Sequence, residues 1–351
     1  MLLSSIVPRI LHQVPKPLLL GMVSLLFCLA AFMVTGCRVE ISASEEGAVE
    51  ASMDGDTTET GRAELRPETV SLSLRYEIQP GANTESLRYT ILIPRSIAGR
   101  QQVREITYSR RPDRIERRFE SDYAIYEIKQ PRETMTLDIR ITADLLPGDL
   151  DAIENHPVET PARISSPGDL RFWLCSENRI ESNDPEIRKL ALGAGSVDPV
   201  EQVRQLAAIL KGTMNYTGLG NGAKGASRAL AERSGDCTEF SDLFVALCRA
   251  RGIPARTCDG ILALPPRPGD TVKHSWAEVH LPDLGWVRLD PLLLCLGKAS
   301  FERIPNAYLH LSHVRNDELL EQYSFDAYRY KGDPVTVRTS VILHDPADPG
   351  W

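Results

Sequence analysis

The chain has 351 residues, of which 42% are hydrophobic and 25% are charged, and its formal net charge is -8. This ordinary globular composition excludes a collagen, a coiled-coil rod, a protein with many membrane spans and a fully disordered chain. The balance of 48 acidic against 40 basic residues argues against nucleic acid as a partner, because nucleic-acid interfaces are basic. The length predicts two domains with additional segments.

Residues 1–36 predict an export signal. They contain Arg9 and Lys16 but no acidic residue, and residues 18–34 are almost wholly apolar. An uncleaved membrane anchor or ordinary secretion is the alternative, since this stretch is close to the length that spans a bilayer. The segment ends in Val34-Thr-Gly-Cys37, which resembles the bacterial lipobox. The resemblance implies that Cys37 carries lipid and that the membrane is a partner through this lipid, with the protein facing the periplasm or the exterior. Arg38 favours the outer membrane by the same resemblance.

Residues 37–67 predict a disordered acidic tether, because they are rich in small and acidic residues and nearly lack large apolar side chains. Residues 68–148 predict a small antiparallel β-sandwich. Within this range, apolar and polar residues alternate in four short runs: Val70–Tyr76, Leu87–Ile93, Tyr123–Ile128 and Met135–Ile141.

Residues 150–300 predict a second, mixed domain. Helical periodicity occurs over residues 185–192 and 200–211, and Asp198-Pro199 is a typical helix start. Residues 301–351 form a less readable tail, in which residues 323–330 and 335–343 predict strands that continue or flank the sheet. We can assign this tail no role from its sequence.

A cysteine lies at the predicted start of an amphipathic helix. In Ser234-Gly-Asp-Cys-Thr-Glu239, Asp236 is the predicted N-cap and Glu239 completes a capping box, which places Cys237 in the first turn. The free N–H groups and the helix dipole stabilise a thiolate there. Taken alone, Cys237 could equally be a small residue near a helix start.

Downstream, two alternating segments predict a β-hairpin. They are Thr271–His280 and Gly285–Asp290, separated by a short turn. If His280 pairs with Trp286, so that paired residue numbers sum to 566, His274 and Asp290 project from one face. A shift of one residue or a bulge would separate them. The hairpin therefore predicts a histidine beside a carboxylate, which can fix an imidazole tautomer.

These three segments resemble the bacterial transglutaminase-like core. The resemblance rests on Gly235-Asp-Cys-Thr-Glu-Phe240, His274-Ser-Trp-Ala-Glu-Val279 and Gly285-Trp-Val-Arg-Leu-Asp-Pro291. It implies an α+β fold in which the N-terminal β-sandwich is followed by a papain-like domain with a helix packed on an antiparallel sheet. It also implies a catalytic triad of Cys237, His274 and Asp290 that cleaves or transfers amide bonds through a thioester.

The resemblance further implies a protein or peptide as substrate, with water as the default acceptor and transfer to an amine left open. Tyr216 is a weak candidate for an oxyanion donor, with packing against the helix as the alternative role. We expect no cofactor and no metal, because neither calcium nor zinc ligand spacing is found. The alternative function is a non-catalytic envelope lipoprotein that uses both domains as a binding scaffold. The oligomeric state is left open.

The seven cysteines divide by expected role. Cys28 leaves with the signal, Cys37 carries lipid and Cys237 is the candidate nucleophile. The remaining four could form two disulfides in three connectivities or stay as buried thiols. They are Cys175, Cys248, Cys258 and Cys295. After any pairing, the free reactive thiol is expected to be Cys237.

Overall fold

The computed structural model describes residues 67–155, 167–218, 223–264, 272–320 and 323–345. The predicted export signal, Cys37 and residues 37–66 of the predicted tether lie outside the described residues. Within the described ranges, no helix is both long enough and apolar enough to cross a membrane.

The first part of the described chain is a run of antiparallel strands. Alternation directs Leu72, Leu74 and Tyr76 of the first strand into a core, where each is fully buried. Strands cover all four predicted runs, and two further strands lie between the second and third runs. The six are β1 (Glu68–Pro80), β2 (Ser86–Ile93), β3 (Gln101–Tyr108), β4 (Arg114–Arg118), β5 (Ser121–Lys129) and β6 (Met135–Leu145).

Two strands from the C-terminal tail complete this β-sandwich. They are β13 (Asp326–Lys331) and β14 (Val335–His344). The two sheets have the strand orders β14-β1-β6-β3 and β13-β2-β5-β4. In the register, Thr339 of β14 lies opposite Tyr76 of β1, and Tyr328 of β13 lies opposite Tyr89 of β2. The tail therefore adds one edge strand to each sheet of the sandwich.

The middle of the chain forms helices packed on a four-stranded antiparallel sheet. The helices are α1 (Leu150–Asn155), α2 (Pro167–Phe172), α3 (Pro185–Ala191), α4 (Pro199–Thr213), α5 (Ala226–Glu232), α6 (Cys237–Ala250) and α7 (Pro291–Cys295). The sheet has the order β11-β10-β9-β12, formed by β9 (Ala255–Leu262), β10 (Val272–Leu281), β11 (Gly285–Leu289) and β12 (Tyr308–Ser312). A short parallel pair joins β7 (Asn215–Tyr216) to β8 (Ser234–Gly235).

Helix α6 is buried against this sheet. Its apolar residues Phe240, Leu243 and Phe244 pack in one core with Ala277 and Val279 of β10. Asp198 caps α4 as its sequence predicts, accepting a hydrogen bond of 2.8 Å from the backbone N–H of Glu201. The predicted α+β class is confirmed, with a helix layer on an antiparallel sheet beside a β-sandwich.

The sandwich and the helix-covered sheet share buried contacts. Ile261 of β9 and Leu309 of β12 belong to the same apolar cluster as the sandwich core. The side chain of Gln101 in β3 donates to the backbone oxygen of His310 at 2.9 Å and accepts from its N–H at 2.8 Å. The described residues, from 67 onward, accordingly all belong to one compact unit.

Candidate active site

Cys237 is the first residue of α6, and the predicted capping box is present. Asp236 is the N-cap and accepts a hydrogen bond of 2.8 Å from the N–H of Thr238. The Glu239 carboxylate accepts from the N–H of Asp236 at 3.0 Å and from that of Lys224 at 2.9 Å. Helix α6 therefore begins at a fixed point, with the Cys237 side chain at its N-terminal end and only 7% exposed.

The hairpin register is the one predicted from the sequence. His280 pairs with Trp286 and Glu278 with Arg288, so paired residue numbers sum to 566. Asp290 follows β11 and is the N-cap of α7. His274 Nε2 lies 2.7 Å from Asp290 Oδ2, and both side chains are buried. The structure thus brings His274 and Asp290 into direct contact.

The imidazole of His274 lies between two groups that favour its protonated form. Burial by itself lowers the pKa of His274, but the charge and hydrogen bond of Asp290, followed by the hydrogen bond and charge of Cys237, outweigh burial and raise this pKa to about 10. Since Asp290 engages Nε2, the other ring nitrogen, Nδ1, is left for Cys237. The arrangement places Cys237 beside an imidazole whose protonated form is favoured.

Tyr216 lies beside the start of α6. Strand β7, which contains it, pairs with β8 directly before the capping box, and Tyr216 lies opposite Gly235. Its side chain is 45% exposed. Burial raises the pKa of Tyr216, and the negative charges of Cys237 and Asp236 raise it further. Its phenol therefore stays protonated at neutral pH, within electrostatic range of the cysteine.

One buried residue at the site is absent from the sequence prediction. Tyr308 of β12 donates its hydroxyl to Asp290 Oδ2 at 2.7 Å. The alternating run Tyr308–Ser312 could have predicted a strand, but nothing in it indicates that this strand pairs with β9 and reaches Asp290. Trp276 packs against Tyr308 with ring centroids 5.0 Å apart, so this tryptophan supports the site from the core.

A second buried polar network, also missed from the sequence, lies next to the nucleophile and the histidine. Ser275, which follows His274, donates to Asp259 of β9 at 2.5 Å. Arg315 donates to the same Asp259 at 3.0 Å and to Asp242 of α6 at 2.9 Å. These ionic contacts connect helix α6 to β9, and the Ser275 bond adds β10 to the same network.

The described cysteines are all free. Cys237, Cys248 and Cys258 are buried, Cys295 is half-buried and Cys175 is exposed. Burial raises the pKa of the Cys258 thiol well above its ordinary value, and it raises that of Cys295 to about 11. Parity therefore does not single out Cys237, because all five described cysteines are free and Cys175 is the exposed one. In the described part of the chain, no group of three or more His, Cys, Asp and Glu side chains could hold a metal ion.

The helix-on-sheet arrangement with this hairpin is a transglutaminase-like fold. The sequence profile of the transglutaminase-like superfamily matches residues 188–291, a range that contains Cys237, His274 and Asp290. Tyr308 and the sandwich lie outside the matched range.

A solved structure and two curated relatives are similar to this chain. The structure is a protein of Cytophaga hutchinsonii, provisionally assigned as a cysteine protease. The two structures superpose with a TM-score of 0.54 at 16% sequence identity, and the superposition covers 79% of this chain and 92% of that chain. The relatives are uncharacterized proteins of Mycobacterium tuberculosis and Mycobacterium bovis. Each is 28% identical over 183 residues, which cover 47% of this chain and 58% of the relative. The chain thus spans less than two thirds of the length of these relatives.

Proposed function

We propose that this protein is a cysteine-dependent enzyme that cleaves or transfers amide bonds in proteins or peptides. One observation carries the proposal: His274 Nε2 lies 2.7 Å from the Asp290 carboxylate, and the same imidazole lies close enough to Cys237 for that side chain to raise its pKa. A nucleophile, a base and an orienting group in contact are the minimum for covalent acyl transfer. The provisional assignment of the Cytophaga protein as a cysteine protease supports the same class.

The first half-reaction forms a thioester on Cys237. Its thiolate attacks the amide carbonyl carbon, and the carbonyl oxygen becomes an oxyanion. The backbone N–H of Cys237, at the start of α6, is a donor for that oxyanion, and the Tyr216 hydroxyl is the candidate second donor. When the C–N bond breaks, the His274 imidazolium gives its proton to the departing amine. The products are the thioester, a free amine and neutral His274.

The second half-reaction releases Cys237. Neutral His274 accepts a proton from an incoming water or amine, which attacks the thioester carbon. The C–S bond breaks to give an acid or a new amide, and the thiolate beside the imidazolium is restored. Asp290 holds the ring through Nε2 in both half-reactions.

We further propose that the enzyme acts in the cell envelope, anchored by lipid on Cys37. The proposal rests on the sequence of residues 1–37, with its apolar stretch and its Val-Thr-Gly-Cys ending. Metabolic labelling with a lipid precursor should mark the wild-type protein and leave Cys37→Ser unmarked. Equal labelling of the wild-type protein and Cys37→Ser would contradict lipid attachment at Cys37.

The test of the active site is the rate of alkylation by an iodoacetamide probe at neutral pH, resolved by peptide. We expect Cys237 to react several-fold more slowly in His274→Ala, because its thiolate loses the imidazolium partner. Cys175, the exposed thiol, is an internal control whose rate should be unchanged. An equal Cys237 rate in both proteins would refute the catalytic proposal and favour the scaffold function.

A second assay separates hydrolysis from transfer. Glutamine-containing peptides are incubated with the protein and a labelled amine. Incorporated amine indicates transfer, whereas shortened peptides indicate proteolysis, and Cys237→Ser should abolish either product.

A further inference from the structure

The Asp290 carboxylate has more partners than the proposed chemistry requires. Its Oδ1 accepts a hydrogen bond of 2.9 Å from the N–H of Leu293 in α7. Its Oδ2 accepts two bonds of 2.7 Å each, from Nε2 of His274 and from the hydroxyl of Tyr308. We propose that Tyr308 is a positioning residue. It orients the Asp290 carboxylate and limits how strongly that carboxylate favours the protonated form of His274. This inference rests on the proposed function of the Cys237 site.

The position of the Tyr308 hydroxyl is set by packing and not by Asp290. Tyr308 lies opposite Leu262 in the β12–β9 pairing, and its side chain is fully buried. Its ring meets that of Trp276 edge-on at 5.0 Å, and the Arg288 guanidinium lies 5.5 Å from the ring centre. A ring held on two sides by the core fixes the direction in which its hydroxyl points. The Tyr308 hydroxyl therefore meets Asp290 Oδ2 from a fixed direction.

Tyr308 acts as a donor at every pH at which the site would work. Burial raises its pKa well above the ordinary value, and the negative charge and hydrogen bond of Asp290 raise it further. The phenol keeps its proton and directs it at Oδ2, the oxygen that also faces His274. The two donors share one oxygen, so the Tyr308 bond withdraws negative charge from the bond to the imidazole.

Removal of the Tyr308 hydroxyl should leave more negative charge on the oxygen that faces His274. The protonated form of His274 is then favoured further, so its transition should move to higher pH. One lost hydrogen bond to a charged group corresponds to at most roughly one to two pH units, and we expect a displacement within that limit. The charged or titratable groups that act electrostatically on Tyr308, His274 or Asp290 are Cys237, Arg288, Asp149 and Cys295.

The experiment is an NMR titration of the histidine ring carbons in full-length protein labelled with 13C-histidine. The chain has seven histidines, and the His274 resonance is assigned by its loss in His274→Ala. Tyr308→Phe keeps the ring and removes only the hydroxyl. Tyr126→Phe is the matched control, since the Tyr126 hydroxyl is buried with no hydrogen-bond partner among the described residues.

We expect the His274 transition to move to higher pH in Tyr308→Phe and to stay in place in Tyr126→Phe. An unchanged transition in Tyr308→Phe, or an equal displacement in both variants, would overturn the positioning role. If Tyr308→Phe does not fold, 3-fluorotyrosine at position 308 decides the matter. This stronger donor should displace the His274 transition to lower pH, and an unchanged titration would again overturn the role.

This readout does not depend on the reactivity of Cys237. Equal alkylation of Cys237 in wild type and His274→Ala would refute the proposed function, whereas an unchanged His274 titration in Tyr308→Phe would refute only the inference about Tyr308. The two failures are therefore distinguishable.

Discussion

Arg100, at the entry to β3 of the sandwich, forms a buried ion pair with Glu278 of β10, four residues after His274 on the same strand. Nη1 of Arg100 lies 2.6 Å from Oε1 of Glu278, and Nη2 donates to the backbone oxygen of Trp286 at 2.6 Å. Arg256 binds the other carboxylate oxygen of Glu278 at 2.7 Å. The strand that carries the candidate catalytic histidine is thus fixed from the sandwich side.

Arg100→Leu should destabilise the whole folded unit. It leaves a buried carboxylate with fewer partners, which costs about 3–5 kcal/mol in other buried pairs. The measurement is urea unfolding followed by far-UV circular dichroism. Arg88→Leu is the control, because Arg88 and Glu127 form a pair of similar length, 2.7 Å, with side chains 49% and 37% exposed. That variant should lose less than about 1 kcal/mol, and equal losses in the two variants would contradict the bridging role of Arg100.

The sequence predicts the parts of the site that lie close together in the chain. His274 and Asp290 belong to one hairpin, so alternation and turn length are sufficient to predict their shared face. Cys237 is predicted by a capping box, which is also local. Their contact with one another depends on how α6 packs across the sheet, and for that only the resemblance to a known core was informative.

The remaining contacts join residues distant in sequence. Tyr308 reaches Asp290 because β12 pairs with β9, and Arg100 reaches Glu278 from a separate segment of the sandwich. Neither the partner of an edge strand nor the destination of a buried arginine is encoded in a local pattern. For the same reason the strands of the tail could be predicted, but their pairing with the edges of the two sandwich sheets could not.

Truncation tests the role of the tail. A chain that ends after Leu320 lacks β13 and β14, which exposes the edges of β1 and β2 and uncovers the core around Tyr76 and Tyr89. We expect the truncated chain to lose its cooperative thermal unfolding transition and to aggregate on expression. A chain that ends after Asp345 keeps every paired residue of β14 and is the matched control, which should still unfold cooperatively. A cooperative transition in the shorter chain would show that the tail is dispensable.

Acid should destabilise the protein through His310, a buried residue of β12. Burial lowers the pKa of His310 to about 3, with the charge of Glu278 opposing this effect and nearby arginines adding to it. In the unfolded chain this histidine titrates near its ordinary value of 6.5. Between these two values the unfolded state binds a proton that the folded state does not, so stability falls as pH drops from about 6.5 toward 3.

The measurement is the free energy of unfolding in urea at pH 7, 6, 5 and 4. His310→Gln removes the titrating ring and should show a shallower decline with acidification than the wild type. An unchanged slope in His310→Gln would assign the acid sensitivity to other groups instead. These are His313, whose pKa burial lowers well below the ordinary value, and Glu278, whose pKa nearby arginines hold well below the ordinary value.

Gly235 should matter to Cys237 through the capping box. A Cβ added at Gly235 would collide with the Glu239 side chain, whose carboxylate holds the N–H groups of Asp236 and Lys224. Gly235→Ala should therefore displace Glu239 and cost about 1–2 kcal/mol, the typical price of a lost cap. Because the first turn of α6 then frays, alkylation of Cys237 should also slow several-fold at neutral pH.

Gly212→Ala is the matched control for this substitution. Gly212 lies inside α4, and a Cβ added there would have no neighbour within 4 Å among the described residues. Alanine should stabilise this helix by up to about 1 kcal/mol and leave the Cys237 rate unchanged. The pair is measured by urea unfolding and by peptide-resolved alkylation. If Gly235→Ala matched Gly212→Ala in both unfolding free energy and Cys237 alkylation rate, the start of α6 would not depend on the contact between Gly235 and Glu239.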